Sequence, residues 1–246
     1  MIKTPDRFPG SGFQEELILE ENAVITLPES GSLRFISGSL SFMDTYGIFN
    51  PRGGRDSFYF RDDFVGDSLL PNWNSVVSGN GSLVSMTTNE LGGAISLISG
   101  NAAGRFAQLN FGGFQILSVS KNISFFCRFQ YKNTANSFSE ISIRAGINNR
   151  IRFHKSGNAN IFFSTHSGGT ETSIDTGISP DTDYHLVEIK SVNNGSSVSF
   201  YYDNILKATS TTNIPTTNME IFLYQETLSS NIRTLNIDLI DIRQNW

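Results

Sequence analysis

The sequence predicts an all-β chain built as an antiparallel β-sandwich, and three observations carry that prediction. From Phe58 onward, apolar and polar residues alternate in short runs such as Ile141-Ser142-Ile143-Arg144-Ala145 and Tyr184-His185-Leu186-Val187-Glu188-Ile189-Lys190. Alternation of this kind marks half-buried strands. Turn residues punctuate the runs every ten or so positions, at Gly79-Asn80-Gly81, Ser156-Gly157-Asn158, Asn193-Asn194-Gly195 and Asp203-Asn204. The composition also suits pleated sheet: 20 Phe and 12% aromatics, but only 17% charged residues against about 25% in an average domain. No run of helical period extends beyond a turn or two, and no internal repeat is present.

Taken in order, the N-terminal part differs from the rest. Residues 1–12 carry two prolines and two glycines with little periodicity, and read as an extended arm. Leu17-Ile18-Leu19 is bracketed by acids and reads as a helical turn or a short strand, and Val24-Ile25-Thr26-Leu27 as a strand. Leu33-Arg34-Phe35-Ile36 and Leu40-Ser41-Phe42-Met43 flank Ser37-Gly38-Ser39 as a hairpin with a three-residue loop. Asn50-Pro51 and Gly53-Gly54 end regular structure, so the expected division is an arm over 1–55 and a sandwich over 56–246. The arm holds too little apolar surface for a core of its own and too much to leave in water. Phe8, Phe13, Leu17, Leu19, Phe35, Phe42 and Phe49 are therefore its expected partner-binding residues.

Bulk properties exclude several functions. The net charge is −5 and no basic run appears, so nucleic acid and anionic membrane are not expected partners. No apolar stretch approaches transmembrane length. The first residues lack the apolar core of a signal peptide, so synthesis in a cytoplasm is expected. The one cysteine, Cys127, alternates within Phe125-Phe126-Cys127-Arg128-Phe129, which predicts a small core residue on the face shared with Phe125 and Phe129.

Two stretches carry resemblances. Phe60-Arg61-Asp62-Asp63-Phe64 through Pro71-Asn72-Trp73 resembles the opening of concanavalin A-like (LamG-type) domains, with an Asp-Phe pair ahead of a loop ending in Trp. The strands around Tyr184-His185 and Val198–Asn204, and the closing Ile237–Arg243, fit the same family. The resemblance covers about 58–246 and implies a jelly roll. Gly31–Phe35, Gly38–Phe42 and Gly47–Arg52 are similar to the short attachment segments of tailed-bacteriophage virion proteins. That likeness implies a virion structural protein, made in the host cytoplasm and displayed on the virion surface as capsid decoration or tail fibre. Its implied partners are other virion proteins; self-association as a trimer is expected from the symmetric assembly usual for appendages, and host-surface glycans are the partners a displayed jelly roll would meet.

Concanavalin A-like folds also host glucanases, which resemble one another in a Glu-x-Asp-x-x-Glu strand motif. That spacing is missing, and Glu140, Glu188 and Glu220 each stand alone on their strands. Asp238 and Asp241 are three apart, so a regular strand points them to opposite faces. The expectation is a non-enzymatic chain with no catalytic residues; the alternative is a glycan-binding receptor-recognition or adhesion module, and a less favoured one is a glycan hydrolase with an unrecognised site. The three histidines, His154, His166 and His185, show no metal-ligand spacing. The acid pairs Asp62-Asp63 and Asp181-Thr182-Asp183 are the candidates for a structural calcium, but turn capping accounts for them, and no cofactor is expected. Trp73, Tyr131, Tyr202 and Trp246 are candidate glycan platforms, weighed against use in the core.

Overall fold

The computed structural model describes residues 57–65, 68–87 and 93–245, together with the backbone of four strands within 24–49. The chain divides into two compact units, Met1–Arg55 and Asp56–Trp246. In the first unit, β1 (Val24–Thr26), β2 (Ser32–Ile36), β3 (Ser39–Asp44) and β4 (Gly47–Phe49) form an antiparallel sheet in chain order. The expected hairpin is thus the middle of a meander. Its pairing runs to Ile36 opposite Ser39, which leaves two residues between the strands rather than three. Phe8, Phe13, Leu17, Leu19 and Trp246 lie outside the described residues, as do the side chains of Phe35, Phe42 and Phe49.

The second unit begins with β5 (Ser57–Asp62), β6 (Asn74–Val77), β7 (Leu83–Thr87), β8 (Ala94–Ile98), β9 (Phe106–Asn110) and β10 (Ser124–Tyr131). It continues with β11 (Ser137–Arg144), β12 (Arg150–Gly157), β13 (Ile161–Ser167), β14 (Thr170–Ile178) and β15 (Tyr184–Val192). The last strands are β16 (Ser197–Tyr202), β17 (Ile205–Ser210), β18 (Glu220–Thr227) and β19 (Thr234–Asn245). Among the described residues they make two antiparallel sheets. The eight-stranded sheet runs β17-β16-β15-β10-β19-β8-β7, with β5 also on β19, and the seven-stranded sheet runs β14-β13-β12-β11-β18-β9-β6. Consecutive strands turn on residues that tolerate the left-handed region, as at Asp203 (φ 50°) and Asn204 (φ 64°) between β16 and β17.

The core lies between the two sheets. Phe125, Cys127, Phe129 and Tyr131 of β10 face it, as do Ile141 and Ile143 of β11, Ile151 and Phe153 of β12, and Ile221 and Leu223 of β18. Arg128 projects from the other side of β10, onto Asp238. One parity expectation fails. Arg128 is opposite Leu239 while Phe129 is opposite Ile237, so a bulge at Asp238 inserts one residue into β19. The slip brings Asp238 to the outer face already held by Asp241, which accepts hydrogen bonds from Tyr59 (3.2 Å) and Arg243 (3.0 Å).

The Asp62–Trp73 stretch closes one part of the sandwich. Asp62 accepts the Trp73 indole N–H at 2.6 Å and the Phe64 backbone N–H at 2.8 Å, so this acid caps its own turn. Trp73 then packs edge-on to Phe60 (5.7 Å between centroids) and beside Phe111 (4.8 Å).

Burial of Cys127 has a direct consequence. Desolvation, with a smaller contribution from Asp238, pushes the thiol's pKa up, so the thiolate is scarce in the folded state. A thiol reagent should label Cys127 slowly in native protein and rapidly in denaturant; fast native labelling contradicts the register. Phe129→Ala should cost about 3–5 kcal/mol in denaturant melts, as expected for a buried Phe.

Candidate functional site

The core parity of the seven-stranded sheet dictates its outer face. With Ile141, Ile143, Ile151, Phe153, Ile161, Phe163, Ile221 and Leu223 turned inward, the intervening residues turn outward. Those outward positions carry an unusual set. Reading across the middle of the sheet by register, they are Gln108, Tyr224, Glu140, His154, Phe162 and Asp175. The next row towards the end of β11 holds Asn110, Phe222, Ser142, Arg152, Ser164 and Ser173, and the one beyond it Glu220, Arg144, Arg150, His166 and Glu171.

Aromatic rings form a continuous band over this face. Phe106 lies 5.1 Å from Tyr224, Tyr224 lies 6.0 Å from Phe138 and 5.9 Å from Phe222, Phe138 lies 6.3 Å from His154, and His154 stacks on Phe162 at 5.7 Å and 22°. The band crosses β9, β18, β11, β12 and β13, a width of about 19 Å at the usual strand spacing. Phe106, Phe138, Phe162 and Tyr224 are half-buried, so each ring keeps an open edge or face.

Beside the band sits a charged cluster tied together by Arg152. Its guanidinium donates to Glu140 Oε2 (2.9 Å), Glu171 Oε1 (2.7 Å) and Ser164 Oγ (2.9 Å). Glu140 also accepts from Ser142 Oγ at 2.8 Å and lies 3.6 Å from Arg150 and 3.9 Å from Arg144. Glu140 and Arg152 are almost wholly buried, at 2% and 5% exposure, whereas the Glu171 side chain is 29% exposed. Burial alone would raise the Glu171 carboxyl. Hydrogen bonds from Ser164 and Arg152, with the charges of Arg152 and Arg150, outweigh it and hold the pKa down at about 2. His154 behaves oppositely: burial first, then the Arg152 charge, push it down to about 3. Its Nε2 is 4.0 Å from Glu171, but the neutral ring makes no ion pair there. His166, the outward neighbour of Arg150, is buried with no hydrogen-bond partner at either ring nitrogen.

The structure relocates the expected glycan platforms. Trp73 is 7% exposed, Tyr131 3% and Tyr202 5%; Tyr131 and Tyr202 belong wholly to the core, correcting their assignment as surface platforms, whereas Trp73 packs into the core and also lines a cavity. Their parity explains it: Tyr131 continues the inward set Phe125-Cys127-Phe129, and Tyr202 continues Val198-Phe200. Two of the acids weighed for calcium, Asp62 and Asp181, are occupied within the protein. Asp181 accepts the Asp183 backbone N–H at 2.8 Å and meets His185 Nε2 at 2.7 Å, and Asp203 meets the other ring nitrogen at 2.7 Å. Burial pulls the His185 pKa down, but these two acids outweigh it and raise it.

The sequence reading missed the Glu140 cluster because its members come from β11, β12, β13 and β14. A signal was present in Arg150-Ile151-Arg152-Phe153-His154, whose solvent parity is cationic and aromatic where an exposed strand face is usually short and polar.

Solved structures share this sandwich. The Bacillus licheniformis beta-glucanase matches with a TM-score of 0.55 at 16% identity, over 76% of this chain and 97% of its own. A beta-1,3-1,4-glucanase (lichenase) derived from a mouse hindgut metagenome matches with a TM-score of 0.57 at 14% identity, over 75% and 98%. A Shewanella oneidensis MR-1 protein of unknown function matches at 0.55 and 15% identity, over 78% and 88%.

The fold is the jelly roll of the beta-glucanases. No protein-family model and no curated protein matches the chain. The expectation of a non-enzymatic chain is corrected by these neighbours, because the architecture is one that named glucanases and a glycosidic hydrolase adopt. That expectation had rested on one missing strand motif, which is too local a feature to decide the matter. Carboxylates on this sheet face are also supplied by different strands, as Glu140 of β11 and Glu171 of β14 are.

The charged cluster makes two predictions. Arg152→Met should destabilise the fold by about 1–3 kcal/mol, since the buried Glu140 loses its hydrogen-bonded cation and keeps only Ser142 and the longer contacts to Arg150 and Arg144. Glu171 has a depressed folded-state pKa, so its contribution is present above the unfolded value near 4.5 and is lost as pH falls towards about 2. Acid titration of stability should therefore flatten between pH 5 and 2 in Glu171→Gln; an unchanged slope contradicts the assignment.

Proposed function

We propose that this protein is carbohydrate-active and engages an extended glycan across the outer face of its seven-stranded sheet. The observation that carries the reading is the aromatic band from Phe106 to Phe162, which runs across the strands with a row of polar and charged groups beside it. Sugar rings present flat C–H faces that lie against aromatic rings, and hydroxyls that bond to carboxylates, amides and guanidinium groups. A band with polar flanks meets both needs along a chain of sugars. The glucanase neighbours support the choice of polymer, since their names specify β-linked glucans.

Calorimetric titration with a β-1,3-glucan hexasaccharide checks it. Binding should weaken about tenfold in Tyr224→Ala and in Phe138→Ala, each losing a ring contact worth roughly 1 kcal/mol or more. Unaltered binding in both variants sinks the reading.

A second reading, that the glycan is also cut, is favoured by one observation. Glu171 lies beside the band, ionised and partly open to solvent, as a nucleophile must be, and a second carboxyl group would have to protonate the leaving oxygen. Reducing ends should be released from mixed-linkage β-glucan by the native chain and not by Glu171→Gln. Equal release by both, or none by either, removes this reading and leaves glycan binding standing.

The division at Arg55/Asp56 supports a further placement. The sandwich would be carried on a virion through residues 1–55, in keeping with the resemblance of that segment to virion attachment segments.

A further inference from the structure

The seven-stranded face ends at β6 in a cavity that the aromatic band does not use. Its volume is about 420 Å³, within the usual range for small-ligand sites. The loop 71–74 and the loop 111–114 form its walls, with Asn72, Asn74, Asn110, Trp73 and Phe114 among the lining residues. Among the described residues, none that lines it is charged. Register makes the cavity continuous with the face: Asn74 is opposite Asn110, and Asn110 is opposite Phe222.

The amides are only partly used by the protein. Asn110 Oδ1 accepts the Gly112 backbone N–H at 2.8 Å and the Asn74 amide at 3.3 Å. That fixes Asn110 with its Nδ2 left as a donor and leaves Asn74 Oδ1 as an acceptor. Asn72 adds a third amide, half-buried in the wall. Phe114 is 54% exposed at the rim, and Trp73 forms the floor with its indole N–H committed to Asp62. Gly112 (φ 63°) and Gly113 (φ 89°) let the second loop turn here without side chains, which keeps the mouth open. At the rim Glu220 accepts the Gly113 backbone N–H at 2.9 Å and places negative charge beside the opening.

We infer that this cavity is a terminal subsite that takes one neutral sugar ring. Amide donors and acceptors match vicinal hydroxyls, an aromatic rim matches a sugar face, and an uncharged wall beside Glu220 disfavours a sugar carboxylate or sulfate. The inference deepens the proposed glycan-binding function and rests on it for the identity of the ligand, yet the cavity is separable from the band.

Trp73 provides the reporter. In the full chain carrying Trp246→Phe, a single indole N–H resonance remains, and it belongs to the cavity floor. Titration with methyl β-glucoside should shift that resonance. The shift should disappear in Asn72→Ala and in Phe114→Ala, while circular dichroism and melting stay at their native values. Glucuronate should shift it at least tenfold more weakly. Absence of any shift with the glucoside overturns the subsite, as does a shift that survives both substitutions, and equal response to glucuronate overturns its preference for neutral sugars. The hexasaccharide separates this from the band: binding that depends on Tyr224 and Phe138 with no indole shift removes the subsite alone. An indole shift by the glucoside with no hexasaccharide binding removes the band and keeps the subsite.

Discussion

Each outward residue on the seven-stranded sheet owes its place to the residue beside it that is buried. Ile141, Ile143, Ile151, Phe153, Ile221 and Leu223 are essentially removed from water, and a slip of one position would expose all of a strand's apolar set. Burying each such side chain contributes roughly 1.5–3 kcal/mol, so the register of β11, β12 and β18 is held far more firmly than any surface interaction could hold it. Glu140, Arg152, His154, Tyr224 and Phe138 inherit that rigidity. A constellation mounted on regular strands is positioned without loop motion, which suits recognition of a polymer over several contacts.

Arg152 is the second organising element. Buried carboxylates are costly without partners, and one guanidinium with three hydrogen-bonded acceptors satisfies Glu140, Glu171 and Ser164 together. Its planar fork reaches from β12 to β11 on one side and towards β14 on the other. The result is an ionised Glu171 at the edge of the aromatic band and a neutral His154 within it. Electrostatics and stacking thus occupy neighbouring rows of one face.

Much of the fold was legible in the residues. The alternation in Phe125-Phe126-Cys127-Arg128-Phe129 placed Cys127 inward, and Asp203-Asn204 marked a turn that adopts positive φ at both positions. Legibility ended where local pattern met a bulge or a distant strand. Asp238 looked opposed to Asp241 because an inserted residue in β19 leaves no mark in parity. Tyr131 and Tyr202 looked like glycan platforms although their parity with Phe129 and Phe200 already turned them inward, and Trp73 precedes its strand, where no parity applies. The site escaped for a related reason: Glu140 is alone on β11, and its partners sit on strands whose neighbours are known only once the sheet order is known.

The central claim is that a glycan lies across the strands of the seven-stranded sheet. A crystal structure of the full chain soaked with a mixed-linkage β-glucan oligosaccharide tests it most directly. The account predicts density running perpendicular to β9, β18, β11, β12 and β13, with sugar rings against Tyr224, Phe138 and Phe162. Density along the strands, or on the eight-stranded sheet, would contradict it.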